Sequence, residues 1–169
     1  GTSLTSTNDT LIDTRNGDSG GNADHGWNVF VKTDGKLTMF TNGSDGYGYA
    51  VESNTVLSVG QWYHAAITRS GNTYRLFLNG VLDDTNTQST SADAGSNFYI
   101  GYKANYAGSS LTYWNGLMSN LRILKGTALY TSAFNAPFYD LENITNTKLL
   151  CCQSDSSTTT AAVTPGTIT

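Results

Sequence analysis

The chain has 169 residues, a net charge of −4 and only nine Lys plus Arg, so no basic patch is available to neutralise a series of phosphates. Its longest apolar runs, such as residues 29–31 and 128–130, fall far short of the ~18 residues needed to cross a bilayer. Composition therefore predicts one domain that binds no nucleic acid and inserts into no membrane.

Abundant Gly, Ser, Thr and Asn, with ten Tyr and two Pro, predict short strands joined by tight turns and minimal helix. Strand-forming runs follow in order at residues 10–15, 27–33, 36–41, 61–69, 73–78, 81–85, 97–102 and 113–124. Because helices do not alternate with them, about eight to twelve such strands predict an all-β, two-sheet antiparallel β-sandwich or jelly roll.

Three turn signals set the local pairing. Asp34-Gly35 predicts a two-residue type I′ hairpin, because both residues tolerate positive φ angles. Residues 70–72 predict a second turn, and Asn79-Gly80 a third, so residues 61–85 should form three consecutive antiparallel strands. Strand alternation then places Trp62 and His64 on one face of a central frame, with His64 partly buried and hydrogen-bonded.

The later segments are less regular. Residues 126–134 predict a turn or a single helical turn. Cys151 and Cys152 are adjacent, and neighbours in a strand point to opposite faces. We therefore expect two free thiols, one buried and one facing outward or toward a neighbour; an interchain disulfide or a pair of metal ligands is the alternative. Residues 153–169 predict a Ser/Thr-rich extended C-terminal tail.

Four separated elements carry a family resemblance. GQWYHAAITR from residue 60, YRLFLNG from residue 74, FYIG from residue 98 and WNGLMSNLRI from residue 114 resemble, in type and order, the LamG-like, concanavalin A-like jelly-roll family. The resemblance covers roughly residues 10–152 and implies a LamG-like domain at 1–152. Such domains usually open with a strand of the F-T-(I/L)-E-x-W kind that this sequence lacks. The first strand is therefore expected to be missing or supplied by a partner.

The closing segment, residues 124–155, resembles the ends of LamG-like domains in structural proteins of tailed phages, particularly phages of marine cyanobacteria. This resemblance implies a virion component at the capsid surface, the tail or a fibre, extracellular after release. Other virion proteins, further copies of the chain in a homo-oligomer and a host-surface polysaccharide are the implied partners.

The acidic residues predict no enzyme. Retaining glycosidases on this fold need two carboxyl groups about 5–5.5 Å apart, whereas the chain has only Glu52 and Glu142 as glutamates. Glu142 has Asp140 nearby, but in an irregular segment after Pro137. The two histidines, His25 and His64, suggest no nucleophile triad.

A calcium site is the one cofactor with candidate residues, because loop carboxylates suit that ion. Asp18, Asp24 and Asp45 lie in Gly-rich loops. Their spacing matches no specific calcium loop, and turn stabilisation is the alternative role. No other cofactor is expected.

Two loops combine aromatic and short polar side chains, the composition typical of a carbohydrate site. They are residues 43–50 and 101–114; strand core or subunit contact is the alternative role for their aromatic residues. The candidate carbohydrate-binding residues are Tyr47, Tyr49, Tyr102, Asn105, Tyr106, Tyr113 and Trp114.

Together these features favour a non-enzymatic virion domain that makes protein contacts and binds host glycans. A free-standing carbohydrate-binding or adhesion module of LamG type is the alternative, and a glycoside hydrolase is the third hypothesis. The fold alone does not choose among them.

Overall fold

The computed structural model describes residues 8–15, 25–93, 95, 97–103, 112–157 and 160–164. Within these ranges the protein is all-β and contains no helix, hence none that is long and apolar enough to cross a bilayer. The strands are β1 (Asp9–Asp13), β2 (Gly26–Val31), β3 (Lys36–Gly43), β4 (Gly46–Val56), β5 (Ala65–Ser70), β6 (Thr73–Leu78), β7 (Val81–Thr87), β8 (Tyr99–Ile100), β9 (Tyr102–Lys103), β10 (Thr112–Tyr113), β11 (Leu121–Leu124), β12 (Thr147–Cys151) and β13 (Ala161–Val163).

These strands form antiparallel sheets, as predicted. The largest has the order β4-β3-β2-β1-β8, and three smaller sheets have the orders β5-β6-β7, β11-β12-β13 and β10-β9. The predicted all-β antiparallel class is confirmed.

The main core lies between the five-stranded sheet and the sheet of β5, β6 and β7. Strand alternation sends every second side chain of β2, β3, β4 and β6 into this layer. The side-chain hydroxyl of Tyr74 is buried there and donates a 3.0 Å hydrogen bond to the Thr90 carbonyl oxygen. The buried cluster contains Val31, Leu37, Met39, Ala50, Val51, Tyr74, Leu76 and Leu78.

The turn between β2 and β3 differs from the prediction. The Lys32 N–H donates to the Lys36 carbonyl and the Gly35 N–H to the Lys32 carbonyl, both at 2.9 Å. Gly35 has a φ of 84°, whereas Asp34 keeps an ordinary negative φ. A three-residue loop of this kind is a type I turn closed by a left-handed glycine. The prediction of a two-residue type I′ turn at Asp34-Gly35 is therefore wrong, because that turn needs a positive φ at both residues and only Gly35 has one.

The next two turns follow the sequence more closely. Asn79 and Gly80 both take positive φ, 51° and 82°, as a type I′ turn requires, and they join β6 to β7. In the turn between β5 and β6, Gly71 has a positive φ of 58° and the φ of Asn72 is not positive. This combination is the type II′ pattern. The predicted succession of three antiparallel strands is confirmed.

The strand expected at residues 61–69 begins later, at Ala65. The Asn79 side-chain Oδ1 accepts the His64 N–H at 2.9 Å, so a side chain replaces the carbonyl that a ladder would supply there. Trp62 therefore lies outside the strand and is 65% exposed. The expectation that Trp62 belongs to the central frame is wrong.

Two other long predicted strands are interrupted. Gly101, at a φ of 71°, separates β8 from β9 within residues 97–102. Residues 113–124 contain only the end of β10 and β11, and Asn120 between them takes a φ of 57°. Residues 126–134 contain bends and no helical turn.

Those bends cover the second face of β6. Phe77, which is fully buried, points away from the main core and contacts Phe134 and Tyr130 with ring centroids 5.5 and 6.4 Å away. The Tyr130 and Phe134 rings stack on each other with their centroids 3.5 Å apart. The Phe134 N–H donates to the Gly80 carbonyl at 2.9 Å, which fixes this layer to the end of the β6–β7 hairpin.

Part of the predicted tail returns to the fold. Ala161–Val163 form β13 and pair antiparallel with β12, with Leu150 opposite Val163 and Cys151 opposite Ala161. The segment is thus extended at these residues, while the boundary of the domain at residue 152 stays a prediction.

Two aspartates connect β7 to the edge of the large sheet. One Asp83 carboxylate oxygen accepts the N–H groups of Asn54 and Thr55 at 2.6 and 3.2 Å, and Asp84 Oδ2 accepts the Glu52 N–H at 3.0 Å. Acidic residues that follow a hairpin turn are ordinarily solvated. Instead these side chains accept hydrogen bonds from backbone N–H groups of β4 that have no partner on a neighbouring strand.

Replacing Asp83 with Ala is expected to lower the free energy of unfolding by about 1–2 kcal/mol, because charged hydrogen bonds to two backbone donors are lost. Urea unfolding measures this change. Asp155→Ala is the matched control, since Asp155 is exposed, and it should stay within about 0.5 kcal/mol of the wild type. Equal effects of the two substitutions would contradict the structural role of Asp83.

Candidate functional site

The five-stranded sheet has a second face that is not apolar throughout. On β2, Val29 and Val31 face the core, so Asn28 and Phe30 face outward. On β3, Phe40 lies on the same outer face and is the cross-strand partner of Asn28. The outer face therefore combines aromatic rings with an amide.

A groove of about 410 Å³ lies on this face. We call it the outer groove. It crosses β1, β2, β3 and β4 and reaches β9 and β10. Its lining consists of Asn8, Thr10, Arg15, Asn28, Phe30, Thr33, Phe40, Tyr49, Lys103 and Thr112.

Asn28 is the most unusual residue in the outer groove. It is only 5% exposed, and its Oδ1 has no hydrogen-bond partner within the described part of the chain. A buried amide oxygen without a partner costs free energy, because it has lost its hydration and gained nothing in return. Asn28 lines the groove, but its Oδ1 is covered by protein atoms, so a bound molecule would reach this oxygen only after the amide turns toward the groove.

Aromatic rings line one side of the groove. Phe40 contacts Tyr49 with centroids 5.7 Å apart and Tyr47 with centroids 6.3 Å apart. Tyr49 is 54% exposed and Tyr47 is more exposed still. Phe30 lies deeper and is buried. The three rings on β3 and β4 thus offer an accessible apolar surface beside the Asn28 amide.

The charges near the groove are largely paired. Arg15 Nε lies 3.0 Å from a carboxylate oxygen of Asp13, and Lys32 Nζ lies 2.9 Å from Glu52. The hydrogen bond to Glu52 raises the pKa of Lys32 against the opposing effect of burial. Lys32 Nζ also lies 5.8 Å from the centre of the Tyr49 ring. Glu52 is therefore engaged by Lys32, and its other carboxylate oxygen lies 3.5 Å from Lys36 Nζ.

The two predicted carbohydrate loops are placed differently. Tyr47 and Tyr49 come together with Phe40, and Tyr49 lines the outer groove. Tyr102 and Tyr113 form a cross-strand pair with centroids 5.4 Å apart. Their neighbours Lys103 and Thr112 line the groove, so alternation puts the tyrosine pair on the opposite face.

Of the remaining candidates in the second loop, Trp114 lies in the described part of the chain and does not line the groove. Trp114 is half-buried, packs against the main core and donates its Nε1–H to the Leu117 carbonyl at 3.3 Å. Asn105 and Tyr106 lie outside the described residues. A sugar-binding role for this loop stays a prediction.

The comparisons with known proteins identify the family. The Laminin_G_3 model, described as the concanavalin A-like lectin/glucanases superfamily, matches residues 2–130. The chain belongs to this family. The predicted LamG-like, concanavalin A-like fold is thereby confirmed, and the match ends before the last 39 residues (169 − 130).

Two solved structures are similar to this Laminin_G_3 domain. One is a native heptameric SAP-like pentraxin from Limulus polyphemus, with 21% identity over 66% of this chain and 54% of that chain, at a TM-score of 0.44. The other is an S-layer domain-containing protein from Clostridium thermocellum, with 22% identity over 78% of this chain and 61% of that one, at a TM-score of 0.31. No curated protein sequence matches.

The calcium candidates of this Laminin_G_3 domain can be placed only in part. Asp18 and Asp24 lie outside the described residues. Both Asp45 carboxylate oxygens accept the Ser91 N–H, at 2.8 and 3.0 Å, and this hydrogen bond lowers the pKa of Asp45. In the described ranges no three His, Cys, Asp or Glu side chains are grouped to hold an ion. Asp45 thus connects the turn between β3 and β4 to Ser91, and a role for it at a calcium site stays a prediction.

His64 is partly buried, as expected, but it is not fully hydrogen-bonded. Its ring contacts the Phe134 ring with the centroids 5.6 Å apart. Its Nδ1 is buried and has no hydrogen-bond partner among the described residues. Burial, and then the positive charge of Arg122, lower the pKa of His64 from its ordinary 6.5. The expectation of a satisfied histidine is wrong, because the Phe134 ring offers no acceptor.

This shift predicts a loss of stability toward acid pH. As pH falls below about 6.5 the unfolded chain takes up the proton before folded His64 does, so the free energy of unfolding decreases. Urea unfolding from about pH 8 to pH 5 should show this decrease in the wild type and a smaller one in His64→Gln. If His64→Gln kept the wild-type dependence of stability on pH, the assignment to His64 would be contradicted.

Sequence reasoning missed most of the groove. Phe30 and Phe40 look like core residues, and Asn28 and Thr10 look like ordinary strand residues. The available signal was the alternation itself. Asn28 and Phe30 alternate with Val29 and Val31, so the second face had to be partly polar.

Proposed function

We propose that this Laminin_G_3 domain is a non-catalytic carbohydrate-binding module and that the outer groove holds the glycan. The proposal rests on Asn28, which lines the groove beside exposed aromatic rings and whose amide oxygen has no partner among the described residues. A sugar hydroxyl would donate to this oxygen while the apolar face of the ring packs on Tyr49. Flat rings with a few fixed polar groups are the general composition of small-molecule sites.

The acidic residues support a binding role rather than hydrolysis. Glu52 is held by Lys32 and Lys36, and Asp140 Oδ1 accepts a hydrogen bond from Asn120 at 3.2 Å. Glu142 uses its backbone carbonyl to accept from Arg122. Neither glutamate lines the outer groove.

The experiment combines glycan binding with stability in the variant Asn28→Leu. Leucine has nearly the same volume but no oxygen, so the cost of the unpartnered amide disappears. We expect unchanged or higher stability in urea unfolding, and at least tenfold weaker binding, about 1.4 kcal/mol, to the best oligosaccharide found by array and calorimetry. If Asn28 had only a structural role, Asn28→Leu would lower the stability and leave glycan binding by the folded protein unchanged.

Tyr49→Ala tests the aromatic side of the groove. The loss of the ring removes a packing surface, and we expect about tenfold weaker glycan binding, or ~1.4 kcal/mol. Tyr139→Ala is the matched control, because Tyr139 is also exposed but does not line the groove. Absence of glycan binding by the wild-type chain, or equal losses in the two variants, would overturn the proposal.

The virion location and the oligomeric state are proposed on the resemblance of residues 124–155. An exposed apolar surface supports them: Leu117 and Phe138 are 75% and 95% exposed, and Phe138 forms a pair with Tyr139. Surfaces of this kind suit subunit contacts. The chain should be found at fixed, symmetric copy number in purified particles, and its isolation only as a free secreted monomer would contradict this role.

A further inference from the structure

The two adjacent cysteines at the end of β12 point to the same side of the chain. Their Sγ atoms lie 3.7 Å apart, although neighbours in a regular strand point to opposite faces. The cause is the φ of Cys152, which is 60° and turns its side chain back toward Cys151. As expected, both thiols are free, with Cys151 buried and Cys152 partly exposed and facing its neighbour, but the two sulfurs do not lie on opposite faces.

This backbone conformation is uncommon for cysteine. Non-glycine residues with positive φ are mainly Asn and Asp, and strained residues of this kind cluster at functional sites. The surroundings hold the conformation in place. The Cys152 carbonyl accepts the Asn120 N–H at 2.9 Å, and Cys151 is paired with Leu121 on β11 and with Ala161 on β13.

The two thiols differ in access. Cys151 is 3% exposed, whereas Cys152 is partly exposed. Burial raises the pKa of Cys151 to about 12, and the neighbouring Cys152 adds to this effect. Cys152 is therefore the thiol that an external reagent meets first, and Cys151 is placed to react second.

We propose that Cys151 and Cys152 form a redox site that cycles between a dithiol and a vicinal disulfide, with small-molecule disulfides as the oxidant. The Cys152 thiol loses its proton and attacks one sulfur of the external disulfide, which releases one thiol and leaves a mixed disulfide on Cys152. The Cys151 sulfur, after losing its proton, attacks Cys152 Sγ and displaces the second thiol. The protein dithiol loses two electrons, and the reagent becomes two thiols.

The disulfide formed here should be easy to reduce. Adjacent Cα atoms lie about 3.8 Å apart across a trans peptide, below the ~4.4–6.8 Å range of ordinary disulfides. The sulfurs must also approach by roughly 1.7 Å to reach a bond length of about 2.05 Å. Strain of this kind makes a disulfide labile, so the site would respond reversibly to the surrounding thiols.

The test exposes the full folded chain, at low concentration, to oxidised glutathione. Trypsin then cuts after Lys148 under non-reducing conditions, and the peptide that begins at Leu149 carries both cysteines. For the wild type we expect this peptide to be about 2 Da lighter, without glutathione and closed to alkylation by iodoacetamide. Excess reduced glutathione should restore two alkylatable thiols.

Two variants separate the roles of the thiols. Cys151→Ser should stop at the stable mixed disulfide on Cys152, because no second thiol can displace it. Cys152→Ser should react much more slowly, since Cys151 is buried. Far-UV circular dichroism reports whether each variant folds, and the wild-type result does not depend on them. A persistent glutathione adduct, a covalent dimer or two unreacted thiols in the wild type would overturn the proposal.

Discussion

Replacing Phe77 with Ala is expected to lower the free energy of unfolding by about 3–5 kcal/mol. Phe77 is fully buried and fills the space between β6 and the layer that contains Tyr130 and Phe134. Its loss leaves a cavity that the stacked pair cannot easily fill, because the Tyr130 carbonyl accepts from the Thr68 hydroxyl and the Phe134 N–H donates to the Gly80 carbonyl. Urea or thermal unfolding monitored by circular dichroism measures the change.

Phe138→Ala provides the matched control. It removes the same side chain from a position that is 95% exposed, so it should change stability by no more than about 0.5 kcal/mol. Similar losses in the two variants would show that residues 126–134 do not form a buried layer on β6.

Gly80→Ala is expected to destabilise the fold by about 3 kcal/mol or more, from two causes that add. Gly80 has a φ of 82°, which costs an alanine about 1–2 kcal/mol. A Cβ atom there would also lie 2.0 Å from the Phe134 carbonyl oxygen, so the backbone of residues 134–136 would have to move. That movement would break the Phe134–Gly80 hydrogen bond that fixes the layer.

Gly71→Ala isolates the first cause. Gly71 also has a positive φ, 58°, but nothing lies within 4 Å of the position of its added Cβ. We expect a loss of about 1–2 kcal/mol, from the backbone conformation alone. If Gly80→Ala cost no more than Gly71→Ala, the close approach of residues 134–136 would be contradicted.

The elements predicted correctly depended on local signals. The Asn79-Gly80 turn and the β5–β6–β7 meander follow from strand periodicity and from residues that tolerate positive φ. The fold class followed from the count and type of strands. These features need no information about distant parts of the chain.

The features that were missed depend on contacts between distant residues. Whether Phe40 faces the core or the groove is decided by its partner Tyr49 on β4, and the roles of Asp83 and Asp84 by the unpaired N–H groups of β4. The strand expected from residue 61 was shortened because the Asn79 side chain took the place of a ladder carbonyl. No periodicity in the sequence carries this information.

The bonds from Asp83 and Asp84 also have a consequence for association between molecules. β4 is an edge strand of its sheet, and an exposed edge is a template for pairing with a strand of another chain. The two carboxylates occupy the N–H groups of Glu52, Asn54 and Thr55 that such a strand would use. The two carboxylates therefore disfavour the extension of this sheet along β4 from one molecule into the next.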